Sequence, residues 1–150
     1  MMKTLPLLFI ALCLGATQSH AQIKITPITY KNHEHFITTT IGYPVDGIFT
    51  VGDQKEPIIQ LNPDGTGIYQ SEDLTKKNIN WGIECSEEGI PIFKEGFNSA
   101  SYSFWYKPSD EENWTTTQFS IHFNKRKMFI MGERVKEYVD YNDLPKPKSK

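Results

Sequence analysis

The sequence predicts an all-β protein. Its expected form is a single antiparallel, meandering β-barrel of about eight strands, with a β-sandwich as the alternative closure and room for a short C-terminal helix. Three observations carry this reading. First, Ile79, Trp81, Ile83 and Cys85 alternate with Asn78, Asn80, Gly82 and Glu84, a period of two that fits a half-buried strand and no helical stripe. Second, Asn62-Pro63-Asp64-Gly65 is a turn between two short apolar runs: Pro63 presets φ, Asp64 bonds to nearby backbone and Gly65 accepts the left-handed conformation. Third, the hairpin spacings are too short for the dozen-residue crossovers of a parallel α/β sheet.

The chain of 150 residues opens with Lys3, an apolar run from Leu5 to Leu14, and small residues at Ser19 and Ala21. This is the pattern of a secretory signal peptide over residues 1–21, and the run is too short to span a bilayer core of about 30 Å. Cys13 lies inside the run behind the bulky Leu12, which disfavours a lipid anchor. The expected protein is therefore secreted or periplasmic, without stable membrane insertion. The full chain has a net charge of −2, and losing Lys3 makes it one unit more negative, so nucleic acid is not an expected partner. Nine Phe, seven Tyr and three Trp suffice to build one core. Disulfides cannot assist, because Cys85 is the one cysteine after the leader.

Residues 22–42 read as an N-terminal arm or edge strand, since Phe36 and Ile37 are adjacent instead of alternating. Residues 43–141 form the β domain. Its first strand is Gly47-Ile48-Phe49-Thr50-Val51. The hairpin of Ile59 and Leu61 with Thr66–Gln70 follows, then the Trp81 strand. Pro91 lacks a donor and demotes Ile90-Pro91-Ile92-Phe93 to an edge or bulge. Tyr102, Phe104 and Tyr106 share one face of the next strand, and Trp105 stands with Ser101 and Ser103 on the other. Thr117, Phe119, Ile121 and Phe123 form the following inward face, before Lys127-Met128-Phe129-Ile130-Met131 returns. Val135, Tyr138 and Val139 have helical spacing, although the same stretch can be extended. Residues 142–150 are a basic, proline-bearing tail expected to fray.

Gly47-Ile48-Phe49, Asn62-Pro63-Asp64-Gly65-Thr66-Gly67 and Ile79-Asn80-Trp81-Gly82-Ile83 occur in an order that resembles the small secreted bacterial lipocalin-like domains, a calycin-like group. The resemblance covers about Gly47 to Gly132. It implies an eight-stranded meandering barrel, sometimes with an internal pocket, and fixes no ligand. The chain departs from the pattern at Phe49, where lipocalins usually have Trp. Arg134 is the candidate for the arginine that closes over that position.

Candidate sites are few. His33 and His35 flank Glu34 and would point to one side of an extended segment, but a transition-metal site needs three or four ligands, and a solvated polar segment explains the pair more simply. His122 belongs opposite Ile121 and Phe123 and has no nucleophile tied to it by spacing. The acidic runs Glu72-Asp73, Glu87-Glu88 and Asp110-Glu111-Glu112 lie in expected loops. The sequence therefore implies no metal, no cofactor and no enzyme. Aromatic residues are the richer signal. Trp81, Tyr102, Phe104, Tyr106 and Phe119 either fill the barrel or line a cavity for a small apolar or amphipathic ligand, with a tyrosine holding the polar end. Otherwise the chain is an interaction or inhibitor module with a packed core. It would then capture an envelope or extracellular protein through an exposed Trp105.

Overall fold

The structure, a computed structural model, describes residues 23–131 and 133–139. Among these there is no helix, and eleven strands form one antiparallel sheet: β1 (Ile25–Tyr30), β2 (His33–Thr38), β3 (Gly47–Val51), β4 (Ile59–Leu61), β5 (Thr66–Gln70), β6 (Lys76–Cys85), β7 (Phe93–Gly96), β8 (Ser99–Pro108), β9 (Thr115–His122), β10 (Lys127–Ile130) and β11 (Arg134–Glu137). Eight of them close a barrel of calycin type in the order β3-β4-β5-β6-β8-β9-β10-β11, and β1, β2 and β7 lie outside it. Closure is made by β11 against β3, with Arg134 opposite Val51 and Val135 opposite Thr50. The sandwich alternative falls away. The optional helix is corrected as well: Val135 lies in a strand whose backbone is paired on both sides, and such pairing overrides a three-residue helical spacing.

The alternating strands turn their apolar faces inward as expected. Phe49, Ile59, Leu61, Ile79, Trp81, Ile83, Phe104, Phe119, Ile121, Met128 and Ile130 make one buried core. Gly67 on β5 admits the backbone of β4, because a β-carbon there would stand 2.3 Å from the Gln60 carbonyl oxygen.

The long strand β6 distributes its edges among three partners. Residues 76–80 pair with β5, residues 79–83 with β8, and residues 83–85 with β2. The arm before Tyr43 is thus a full β1–β2 hairpin that continues the sheet where β5 ends. It folds over the outside of the barrel, where Ile28, Ile37 and Trp105 form a second buried cluster flanked by Tyr30 and Trp114. Gly82, opposite Trp105, makes room for it: a β-carbon at Gly82 would lie 2.7 Å from Ile37 Cβ.

Each end of the barrel is capped. At the end that holds the β4–β5 turn, the irregular segment of residues 39–46 crosses the opening and buries Ile41 and Val45 in the core. Lys136 points inward from β11 and fastens this segment, donating to the Pro44 carbonyl at 2.6 Å and to the Asp46 carbonyl. At the other end Arg134 donates to the Gln70 carbonyl at 2.9 Å and lies 5.4 Å from the Tyr69 ring centroid. This corrects the arginine assignment. The cation over Phe49 is Lys136, 5.9 Å from the ring centroid, and Arg134 covers Tyr69.

The leader of residues 1–21 and the tail of residues 142–150 lie outside the described residues.

Candidate functional site

The five aromatics singled out from the sequence all belong to the inner face, and they divide into three roles. Phe104 and Phe119 are fully buried packing groups. Trp81 stacks on Phe104 with 5.9 Å between ring centroids, and its indole N–H donates to the Thr66 carbonyl at 2.9 Å and the Asn62 carbonyl at 3.1 Å. A buried indole needs such a partner; here it ties the β4–β5 turn to β6. Tyr106 stacks on Phe104, faces Tyr69 at 6.1 Å and stands opposite Thr115 of β9. Burial raises the Tyr106 phenol above its ordinary pKa, with smaller contributions from Tyr69 and Glu111.

Tyr102 has a different setting. It lines a recess of about 510 Å³ at the end capped by residues 39–46. Its inner wall is the β7–β8 hairpin: Phe93 stands directly opposite Tyr102, with ring centroids 5.4 Å apart. Ile90 and Pro91 of the turn after β6 form one side, Ile41 and Tyr43 of the crossing segment form another, and Phe123 completes the apolar lining. The Tyr102 ring lies 5.9 Å from Phe119 and so joins the recess to the core. Its hydroxyl makes no hydrogen bond among the described residues. Burial pushes the Tyr102 phenol above its ordinary pKa, and Tyr43 adds to this, so it enters the neutral pH range as an O–H donor with acceptor capacity. Chemically, the recess offers a mainly apolar surface with the Tyr102 phenol inside it and the polar groups of Glu95, Asn98 and Ser99 along its β7–β8 side.

The sequence missed the other walls of this site. Phe93, Ile90 and Phe123 were read as parts of edge strands and inward faces. Only the β7–β8 hairpin and the crossing segment bring them together with Tyr102. The apolar rim extends outward to Ile92 and to Phe97, which is 97% exposed at the hairpin tip.

Trp105 is not an exposed anchor. It is 3% exposed beneath the β1–β2 hairpin, and its indole N–H donates to Glu84 at 3.4 Å. Glu84 also meets His35 Nδ1 at 2.9 Å, and the His35 ring lies 4.9 Å from Trp105. His33 is exposed, so the two histidines have separate environments. Among the described residues no group of three or more His, Cys, Asp or Glu side chains could hold a metal ion. His122 sits edge-on to Phe129 at 4.8 Å. Cys85 is buried, and desolvation, with the Glu84 charge second, raises its thiol pKa and leaves it a poor nucleophile at neutral pH. Among the described residues no helix is long and apolar enough to cross a membrane.

Comparison of the chain with protein-family models, curated proteins and solved structures finds no match in any of the three.

Proposed function

We propose that this is an exported, non-enzymatic lipocalin-like protein, secreted or periplasmic, that binds one small apolar or amphipathic ligand at the barrel mouth. The reading rests on the recess of about 510 Å³, whose mainly apolar walls hold the Tyr102 hydroxyl, which makes no hydrogen bond among the described residues. An acyl or ring portion of the ligand would lie against Phe93, Ile90, Ile41 and Phe123, and a polar end would meet Tyr102. Each Å² of apolar surface removed from water contributes roughly 25 cal/mol, from which the loss of ligand freedom is subtracted. Phe104 and Phe119 support this site from behind instead of touching the ligand.

The test is native mass spectrometry of the purified protein after incubation with a cell lipid extract, followed by displacement of a fluorescent fatty acid. Retention of one small molecule per chain is expected. Replacing Tyr102 with Phe should keep the fold and weaken binding of ligands with a polar end by about fivefold, the loss of one neutral hydrogen bond. A protein that retains no molecule and displaces no probe rejects the proposal.

A second reading is favoured by one observation, the exposed apolar rim of Ile90, Ile92, Phe93 and Phe97. In it the barrel is a packed scaffold that captures an envelope or extracellular protein through β7 and its flanking turns, with Trp105 as part of the scaffold. Replacing Phe97 with Ser should then abolish capture and leave probe binding at Tyr102 unchanged.

A further inference from the structure

A second cavity, of about 250 Å³, lies on the outer wall of the barrel and shares no lining residue with the mouth recess. Its walls are the start of the β1–β2 hairpin (Lys24, Thr26, Ile28), the β4–β5 turn at Asp64 and Gly65, and Asn80, Lys107 and Trp114 on the barrel side. The mouth recess is mainly apolar, whereas this groove mixes an indole wall with donors and acceptors. Trp114 is half-buried, held from behind by the Trp105 cluster, and the Lys107 ammonium lies 5.9 Å from its ring centroid. Asp64 is held in place by its own turn, accepting from the Thr66 hydroxyl at 2.6 Å and the Thr66 N–H at 3.0 Å. The Asn80 amide and the Trp114 indole N–H make no hydrogen bond among the described residues.

We propose that this groove binds a single acidic sugar unit, a pyranose ring carrying a carboxylate. A pyranose presents apolar C–H groups on its faces and hydroxyls around its edge. The Trp114 indole suits the first once the Lys107 ammonium over its ring swings to the sugar carboxylate. The solvent-exposed Asn80 amide, the Asp64 carboxylate and the Thr26 hydroxyl suit the second. Two ammonium groups, Lys24 and Lys107, face one carboxylate, so the groove has net positive character, which selects an anionic sugar over a neutral one. A groove of about 250 Å³ accommodates one pyranose ring. The sites are independent: ligand binding at Tyr102 neither requires nor prevents binding here.

The experiment is an NMR titration of the folded chain with D-glucuronate, D-glucose and acetate, following the Trp114 indole and Asn80 side-chain amide signals. Glucuronate is expected to shift both saturably, glucose to bind at least about fivefold more weakly, and acetate to leave the indole unmoved. Lys107→Met and Asn80→Ala alter solvent-facing side chains and should preserve the fold. Lys107→Met should weaken glucuronate binding about tenfold, the effect of losing one charge-assisted hydrogen bond. Unmoved signals with glucuronate would overturn the proposal. Equal affinity for glucose would overturn the acidic selectivity, and an acetate response matching that of glucuronate would overturn the role of the ring. Both signals are remote from the mouth recess, so failure here leaves the Tyr102 site standing.

Discussion

Replacing Gly82 with Ala tests whether the β1–β2 hairpin is truly clasped to the barrel. The added methyl would sit 2.7 Å from both Ile37 Cβ and Ile37 Cδ1, and 2.8 Å from Ile37 Cγ1. Carbon atoms in favourable contact stand about 3.5–4.0 Å apart, so β2 must lift by roughly 1 Å or the Ile37 side chain must leave its rotamer. Overpacking of this kind costs about 1–3 kcal/mol, against which alanine's lower unfolded-state entropy returns less than 1 kcal/mol. Urea denaturation should therefore show a loss of about 1–2 kcal/mol. The loss has a location. Ile28, Ile37 and Trp105 form a cluster separate from the core, so hydrogen exchange should accelerate in β1 and β2 while the amides of β8 and β9 keep their protection. The double variant with Ile37→Ala removes two of the three clashing atoms and should recover part of the loss, giving a coupling of about 1 kcal/mol. Unchanged stability together with unchanged exchange in β1 and β2 would refute the clasp. A uniform loss of protection throughout the barrel would refute its separateness from the core.

Other expectations follow from the same structure. Phe104→Ala should cost about 3–5 kcal/mol in chemical denaturation, because the fully buried ring stacks on both Trp81 and Tyr106 and its loss leaves a cavity; a cost below about 1 kcal/mol would mean that the interior is already loose. The carboxyl of Asp64 should titrate below its ordinary value of 3.8, since the Thr66 hydroxyl and N–H bond to its ionised form. With the folded pKa depressed, the stabilisation of the β4–β5 turn is present above the unfolded pKa and is lost as pH falls through the folded one. The Thr66 amide shift should report a midpoint below 3.8, and one at or above that value would refute the turn geometry.

Most of the barrel wall was legible in the sequence because its inward faces are apolar and its outward faces polar. This contrast placed Trp81, Phe104 and Phe119 correctly on one interior, and the Asn62-Pro63-Asp64-Gly65 turn was explicit. The reading failed wherever a face is covered by a segment remote in sequence. Trp105 shares its strand face with two serines and so resembled a surface anchor, yet a hairpin some seventy residues earlier lies on top of it. Phe36 and Ile37 broke the alternation because β2 passes from beyond the barrel edge onto its outer wall. The closing strand β11 was obscured for the opposite reason. Its inward residues are the buried Arg134 and the half-buried Lys136, and no hydrophobic rhythm announces a strand whose inward side chains are cationic. The mouth recess was half-visible: Tyr102 could be found by period, but Phe93, Ile41 and Phe123 meet it only in three dimensions.

Those two cations on β11 bear on how the cylinder finds its final seam. A slip of one residue along β3 and β10 would invert the strand. Arg134 would lose Gln70 and Lys136 would lose the carbonyls of Pro44 and Asp46, while Glu137 would swing toward the interior. A purely aliphatic closing strand would tolerate that misalignment far better. The polar staves therefore act as a lock with one setting, and they hold the seam shut at both rims.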